Sequence, residues 1–428
     1  MDIHVLAGLP PSMGVAFHFP LVTLYLSLNK KTVAFPEFRY YNVTLIITEK
    51  GLPMAKFLKD NGTLLAMIAL GALLSIISDT FRSPENFSNL VRQMCITGIV
   101  AVGMTMVILL GGIDLSVGSI AALAGVEIAL LMQSGVNIWL AIVIMLLTCG
   151  LLLGLWNGFW IAKFQVPAFI ITLGMMTIAR GLAHILTGGT TPSIPSEDYY
   201  FIGNGYIPKE ISIVLMAVAF AGYLYSVFAG IARKKRYEIA VKVLDWLPRF
   251  ITGILAFGFS GWIFIGTSGI PVPVALMGVI VFLGHFMLTN TRFGRKIYAI
   301  GGNQEAARLS GINVFGVKLG VYTIVTVLSA VAGIVASSRL SSASPNEGNM
   351  LELDVIAAVV IGGTSLSGGV GTIFGAIVGA LFIQILKNGM SILSIQEPVQ
   401  NVVKGFIIIF AVLFDVIQKK RRTSKAKS

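Results

Sequence analysis

Four ionisable side chains lie in or beside long apolar segments of the chain. They are Asp114, Glu127, Arg180 and His184. Charges at the depth of a lipid bilayer are costly, so such residues usually face the protein interior and mark a functional path. Asp114 and Glu127 could carry protons or sodium ions. Asp114 could instead cap the helix that begins at Leu115 by accepting backbone N–H bonds, and we favour that structural role.

Polar side chains at helical spacing extend this set. Arg180 and His184 are four residues apart and share one helix face. They could line a polar path, although Arg180 could equally pair with Glu127, for which a packing role also stays open. Asn157 precedes Gly158 in an apolar segment, and its amide could hydrogen-bond hydroxyl groups of a solute.

The composition places these residues in a membrane protein. Of the 428 residues, 56% are hydrophobic and 12% are charged, against about 25% charged in a soluble domain. The mean hydropathy is +0.87, and the 47 glycines suit closely packed membrane helices. The net charge of +12 is concentrated in short loops, which is typical of a polytopic protein and not of a nucleic-acid-binding one. With two cysteines and four histidines, we predict neither a disulfide nor a metal site.

Apolar segments of membrane-spanning length predict an all-α bundle of about ten transmembrane helices. One apolar stretch, 353–363, is too short to span and is interpreted as a half-helix or re-entrant segment buried in protein. The candidate spans are 64–78, 95–110, 115–133, 138–161, 168–187, 211–232, 250–266, 271–289, 315–338, 370–387 and 399–417.

Charged loops predict the orientation and the domain boundaries. The loops 233–249 and 290–314 and the C-terminus are basic, so both chain ends should be cytoplasmic, and the acidic loop 188–210 should lie outside. Residues 1–53 form an atypical extension, which could lie upstream of a working start at Met54 or be a poorly ordered N-terminal extension of the protein. Residues 54–418 form the membrane domain, and 419–428 form a basic tail.

A weak internal repeat accompanies this pattern. The segment 111–116, which begins Gly-Gly and ends Leu-Ser, recurs at 362–367. The Asn157-Gly158 pair recurs as Asn388-Gly389, and each pair has a proline ten residues after its asparagine. Such repeats with glycine-broken helices are typical of duplicated transporter cores, although glycine-rich membrane sequence can also match by chance.

The segment 294–313 is the sharpest motif. It is short, polar and basic between two apolar segments, and Glu305-Ala306-Ala307 followed by Gly311 predicts a short helix closed by a glycine. A helix outside the membrane could serve another protein as a docking point, or it could be an ordinary loop helix.

This motif resembles the loop through which permeases of ATP-binding-cassette (ABC) importers dock onto their ATPase subunits. The stretches 298–313, 112–119 and 352–366 resemble the ribose and xylose branch of that family, in the family's order, and the similarity runs from about residue 83 to 418. The segments 188–207 and 233–249 look closer to xylose permeases. The chain departs from the general motif by lacking a later Leu-Pro, and residues 1–53 match nothing in the family.

The resemblance implies a bacterial inner-membrane permease that moves a monosaccharide, with a pentose such as xylose or ribose favoured. The chain has no phosphate-binding loop, so it is not an enzyme by itself. ATP and magnesium would be bound by a partner ATPase, and no cofactor is expected in this chain. The other implied partners are an extracytoplasmic sugar-binding protein, a second permease copy and membrane lipid, without nucleic acid.

The site residues that follow form two sets. The predicted ATPase-coupling loop comprises Gly302, Asn303, Glu305, Ala306, Ala307, Arg308 and Gly311. The predicted translocation path comprises Asp114, Ser116, Asn157, Arg180, His184, Thr364 and Asn388. The alternative function is a proton- or sodium-coupled secondary transporter that uses Asp114 and Glu127 and needs no ATPase.

Overall fold

The computed structural model describes residues 16–19, 22–29, 42–48, 62–238 and 243–427, with side chains for 62–238, 243 and 246–413. The chain divides into a first unit, Met1–Leu65, and a second unit, Ala66–Ser428. The first unit holds an antiparallel sheet of β1 (Ala16–Phe19), β2 (Val22–Asn29) and β3 (Asn42–Thr48). The proposed start at Met54 lies outside the described residues, and the domain boundary after residue 53 stays a prediction.

The described part of the second unit is helical. Its helices, counted with α1 at the boundary of the two units, are α1 (Gly62–Ile77), α2 (Pro84–Leu109), α3 (Val117–Gln133), α4 (Ile138–Lys163), α5 (Ala168–Thr187), α6 (Glu197–Asn204), α7 (Lys209–Arg236), α8 (Val243–Gly266), α9 (Val272–Asn290), α10 (Arg292–Gly302), α11 (Gln304–Leu309), α12 (Val314–Leu340), α13 (Leu351–Ile361), α14 (Ile373–Ile392) and α15 (Glu397–Lys427).

Eight helices of the described chain are long and apolar enough to cross a membrane: α2, α4, α5, α7, the Trp246–Gly266 part of α8, α9, α12 and α14. The helices α1 and α3 are apolar but shorter. This agrees with the prediction of a membrane bundle of about ten helices. From residue 62 onward the all-α architecture is confirmed over the described residues.

Helix α2 begins eleven residues earlier than the predicted span 95–110. The Ser83 hydroxyl caps it by accepting a hydrogen bond from the Asn86 N–H, and Pro84 occupies the first turn. The first turns carry polar residues, so the hydropathy of the sequence does not show where the helix begins. Two of them, Ser88 and Arg92, are buried against protein and not exposed to lipid.

The short segment 353–363 is the buried half-helix that its length predicted. It forms α13, whose 11 residues span about 16 Å, roughly half of a bilayer core. Most of its side chains are buried. The loop 341–350 leads into it from α12, and the glycine-rich loop 362–372 leads out of it to α14.

Helix α12 runs between the two ends of the bundle and packs on α2, α3 and α4. At one end it follows α11, and at the other the Asn204 amide of α6 donates to the Arg339 carbonyl at 3.0 Å. Glycines allow the helices to approach closely: a Cβ on Gly103 would lie 2.7 Å from the Cα of Val325. The two ends are called the α11 end and the α6 end below.

Both glycine-glycine motifs end a helix. The Gly111 N–H donates to Ile108 O, and the Gly112 N–H donates to Val107 O, at the end of α2. At the end of α13, the Gly363 N–H donates to Val360 O and the Thr364 N–H to Val359 O. Each pair of bonds is a Schellman cap, which satisfies the last carbonyl groups of a helix.

Candidate functional site

The predicted coupling loop forms the short helix α11. The Asn303 side chain caps its start by accepting a hydrogen bond from the Ala306 N–H at 3.0 Å. Gly311, with φ of +79°, closes its end, and the Ile312 N–H donates to Ala307 O at 3.1 Å. The helix therefore contains Glu305-Ala306-Ala307 and closes at Gly311 as the sequence predicted, and its cap at Asn303 is an addition from the structure.

One face of α11 is buried and the rest is exposed. Ala307 packs into the main apolar core, whereas Glu305, Ala306 and Arg308 are exposed. Leu309 is 81% exposed at the tip, so a large apolar side chain has no cover among the described residues. The exposed surface of α11, with its charged residues and the uncovered Leu309, suits a protein–protein contact.

Helix α10, which precedes α11, packs closely on the end of α2 and on the loop 362–372. A Cβ on Gly301 would lie 1.7 Å from Leu109 O and 2.6 Å from the Gly369 N, so α10 touches the backbone of α2 and of the loop 362–372. The Tyr298 hydroxyl donates to Gly371 O at 2.9 Å, and the Gly369 N–H donates to Leu109 O at 2.9 Å. These contacts link α10 to the end of α2 and to the loop that follows α13.

Three residues of the predicted path form one buried cluster in the break between α2 and α3. Asp114 Oδ1 accepts hydrogen bonds from the Ser116 N–H at 2.8 Å and from the Ser116 hydroxyl at 2.6 Å. The Asn157 amide donates to Ser116 Oγ at 3.3 Å. Asp114 therefore binds Ser116, the residue before α3, and does not cap that helix as predicted. The helix begins at Val117 and not at Leu115, and its start has no side-chain cap hydrogen bond.

This cluster keeps unused acceptors. Asp114 Oδ2 and Asn157 Oδ1 are buried and have no hydrogen-bond partner among the described residues. Asp114 lies in the loop 110–116, outside the spanning helices, and burial raises the pKa of its carboxyl to about 6.

Arg180 and His184 lie elsewhere, towards the α6 end. They share one face of α5 as predicted, and both bind the loop 341–350. The Arg180 guanidinium donates to Pro345 O at 2.5 Å and to Glu347 O at 2.8 Å, and His184 Nε2 is 3.1 Å from Asn346 Oδ1. These contacts hold the loop that precedes α13.

Glu127 has its own partners. The Thr148 hydroxyl is 2.7 Å from both carboxylate oxygens of Glu127, and the Cys149 thiol donates to Oε2 at 2.9 Å. Thr148 and Cys149 lie in a π-helical segment of α4, Leu146–Leu152. Arg180 binds loop carbonyls instead, so the suggested Arg180–Glu127 ion pair does not form.

The last two path residues also separate. Thr364 is buried where a Cβ on Gly371 would lie 2.4 Å from Thr364 Oγ1. Asn388 exchanges amide hydrogen bonds of 3.0 and 2.9 Å with Asn86 at the start of α2. The structure therefore brings together Asp114, Ser116 and Asn157, and it places Arg180, His184, Thr364 and Asn388 in other contacts.

Sequence reasoning missed an ion-pair cluster. Asp354 in the first turn of α13 binds Lys387 of α14 at 3.3 Å and Lys404 of α15 at 3.2 Å. The signal was present, because each lysine is an ionisable group inside an apolar segment. Their common partner could not be read from spacing, since 33 and 50 residues separate them from Asp354.

Comparisons with known proteins identify the family of the chain. Residues 86–412 match the family model described as branched-chain amino acid transport system / permease component. The chain is 42% identical over 364 residues to the xylose transport system permease protein of Escherichia coli (strain K12), covering 83% of this chain and 91% of that protein. It is 39% identical over 368 residues to the xylose permease protein of Haemophilus influenzae, covering 84% and 96%.

A ribose import permease protein of Escherichia coli (strain K12) is 37% identical over 360 residues, covering 84% of this chain and 94% of that protein. A comparison with the solved structures found no match. The permease relatives and the apolar helices indicate a multi-pass inner-membrane protein. The chain belongs to the branched-chain amino acid transport system permease family, and it is a membrane-spanning permease subunit of an ABC importer, not an enzyme by itself.

Proposed function

We propose that this chain moves a pentose, with xylose first and ribose second, through the inner membrane by alternating access. The xylose permeases among its relatives are 42% and 39% identical to it, and the ribose permease is 37% identical. A separate ATPase binds ATP and magnesium, a sugar-binding protein delivers the solute, and two permease copies work together in lipid. Both chain ends face the cytoplasm in this arrangement, together with α11.

The observation that carries this proposal is the exposed helix α11, together with the close packing of α10 on the end of α2 and on the loop 362–372. An ATPase that grips Glu305, Arg308 and Leu309 would move α10, and through it the ends of α2 and α13. Gly302, Asn303 and Gly311 shape the loop, and Ala307 anchors it to the core. Ion coupling needs no such surface.

The coupling contact is tested by co-purification of the tagged permease with its ATPase in mild detergent. Glu305 and Glu210 are both exposed acidic residues in the first turn of a helix, so Glu305→Arg and Glu210→Arg lose a similar helix-dipole contribution. We expect Glu305→Arg to reduce the ATPase recovered at least tenfold and Glu210→Arg to leave it unchanged. Equal recovery with both variants would contradict docking through α11.

The sugar is tested in proteoliposomes that contain the permease, the ATPase and the binding protein. Labelled xylose should accumulate on ATP addition, ribose more slowly, and an amino acid not at all. ATP-driven uptake of an amino acid without sugar uptake would overturn the substrate assignment.

A further inference from the structure

The ion-pair cluster at the start of α13 has an unusual charge balance. The Asp354 side chain is 6% exposed and binds two ammonium groups, of which Lys404 is 14% exposed and Lys387 is 37% exposed. One carboxylate therefore balances two lysines and the positive N-terminal end of the helix dipole of α13. Without this carboxylate, two partly buried cations would repel each other and the helix end, so the cluster depends on Asp354.

The cluster joins three helices at one point. Asp354 lies on α13, Lys387 on α14 and Lys404 on α15. Along the rest of α13 the packing on α14 is backbone against backbone, because a Cβ on Gly379 would lie 1.9 Å from Ala358 O. Such contacts have no flexible side chains between them, so α13 and α14 cannot slide past each other without a large rearrangement.

The other end of α13 meets the base of the coupling loop. The loop that follows α13 binds α2 through the Gly369 N–H and α10 through the Tyr298 hydroxyl. A displacement of α10 therefore acts on one end of a stiff helix of about 16 Å, and the other end is held by Asp354.

The first turn of α13 also faces the start of α3. The Glu352 carboxylate oxygen lies 2.8 Å from where a Cβ on Gly118 would stand, at the start of α3. Arg180 of α5 attracts this carboxylate electrostatically. The two acidic residues of the first turn thus face different neighbours, α3 and α5 for Glu352 and α14 and α15 for Asp354.

We propose that Asp354 is a positioning residue for transport. By binding Lys387 and Lys404, it fixes the start of α13 to α14 and α15. Movement at α11 then shifts these three helices as one unit. The inference rests on the proposed coupling of α11 to an ATPase. It does not require a particular sugar. We call Asp354, Lys387 and Lys404 the clamp. When the clamp is lost, the ATPase still hydrolyses ATP, but its movement is not transmitted to the solute path.

The first test measures sugar moved per ATP hydrolysed in the complete proteoliposome complex. For Asp354→Asn we expect the ratio to fall at least fivefold while the rate of ATP hydrolysis stays within twofold. Asp354→Glu keeps a carboxylate between the two lysines, and it should retain at least half of the ratio. A merely structural residue would lower transport and hydrolysis together, and this outcome would overturn the proposal.

Two single-lysine variants keep the test valid if Asp354→Asn does not fold. Lys404→Met and Lys387→Met each leave one acid paired with one lysine. Lys404 is the more buried, so Lys404→Met should lower the ratio two- to threefold and Lys387→Met less. Unchanged ratios in both would overturn the proposal.

A second readout needs no sugar and separates this inference from the substrate assignment. Spin labels on Lys296→Cys and Phe410→Cys report the distance between α10 and α15, since both positions are exposed and the native cysteines are buried. In the unmodified background, with the ATPase bound, the distance should change little on ATP addition, because the elements move together. Asp354→Asn should produce a nucleotide-dependent change, and the absence of any difference between the two backgrounds would contradict the clamp.

Discussion

The two glycine-glycine motifs look alike in sequence but serve their helices differently. At the end of α2 the left-handed residue of the cap is the first glycine, Gly111, with φ of +77°. At the end of α13 it is the second glycine, Gly363, with φ of +90°. The second motif is therefore shifted by one residue relative to its helix.

The remaining glycine of each pair is needed for space. A Cβ on Gly112 would lie 2.2 Å from the Tyr322 hydroxyl, and a Cβ on Gly362 would lie 2.2 Å from Gly375 O. Counted from the left-handed residue, the position of Asp114 in the first motif corresponds to Leu366 in the second. The two segments therefore share a helix-ending turn, but only the first carries the polar cluster.

The largest expected effect comes from a substitution in the second motif, at the close contact between Gly362 and the backbone of α14. Gly362→Ala places a methyl group against the backbone of α14, which cannot move aside as a side chain could. We expect a loss of at least about 3 kcal/mol of unfolding free energy, at the upper end for overpacking, seen as a lower thermal unfolding midpoint in detergent.

The matched control is Leu110→Ala, because Leu110 occupies the corresponding cap position of the first motif. The side chain there is only partly buried, so its loss should lower the midpoint much less. Equal loss in the two variants would contradict the one-residue shift.

The next effect concerns the polar cluster that only the first motif has. Because the pKa of Asp114 is raised from 3.8 to about 6, the folded state binds the proton more tightly than the unfolded state. Stability should therefore rise as the pH falls from 6 to 4, by up to about 3 kcal/mol at 1.36 kcal/mol per pKa unit. Asp114→Asn should remove this part of the pH dependence.

Thermal unfolding at pH 4.5 and pH 7 measures this difference, with the exposed Asp79→Asn as control. The control should keep the pH dependence of the unmodified protein. An unchanged pH dependence in Asp114→Asn would show that its carboxyl is not titrating in this range.

The smallest expected effect comes from replacing the left-handed glycine of each motif, which tests the one-residue shift between the motifs. Gly111→Ala and Gly363→Ala should each cost about 1–2 kcal/mol, because an L-residue is strained in the left-handed region. Asparagine tolerates that region better, so Gly111→Asn and Gly363→Asn should cost less than the alanine variants. If Asn at Gly362 proved milder than Asn at Gly363, the assignment of the left-handed residue would be wrong.

Much of the molecule follows from local sequence. The apolar segments predicted the membrane bundle, and the short length of 353–363 predicted the buried half-helix. The segment 305–311 predicted α11, because the closing Gly311 acts within a few residues of Glu305-Ala306-Ala307. The start of α2 was missed because its polar first turns are buried against other helices, which no local pattern reveals.

Tertiary structure alone decided the partners of the polar residues. Asp114, Ser116 and Asn157 meet because the break between α2 and α3 lies against α4, and Asn388 finds Asn86 across 302 residues of chain. Residue types and spacing determined which elements form and where they end, since those signals act over one or two helical turns. Which charges meet, as at Asp354, depends on how distant helices pack, and that is set by the whole core.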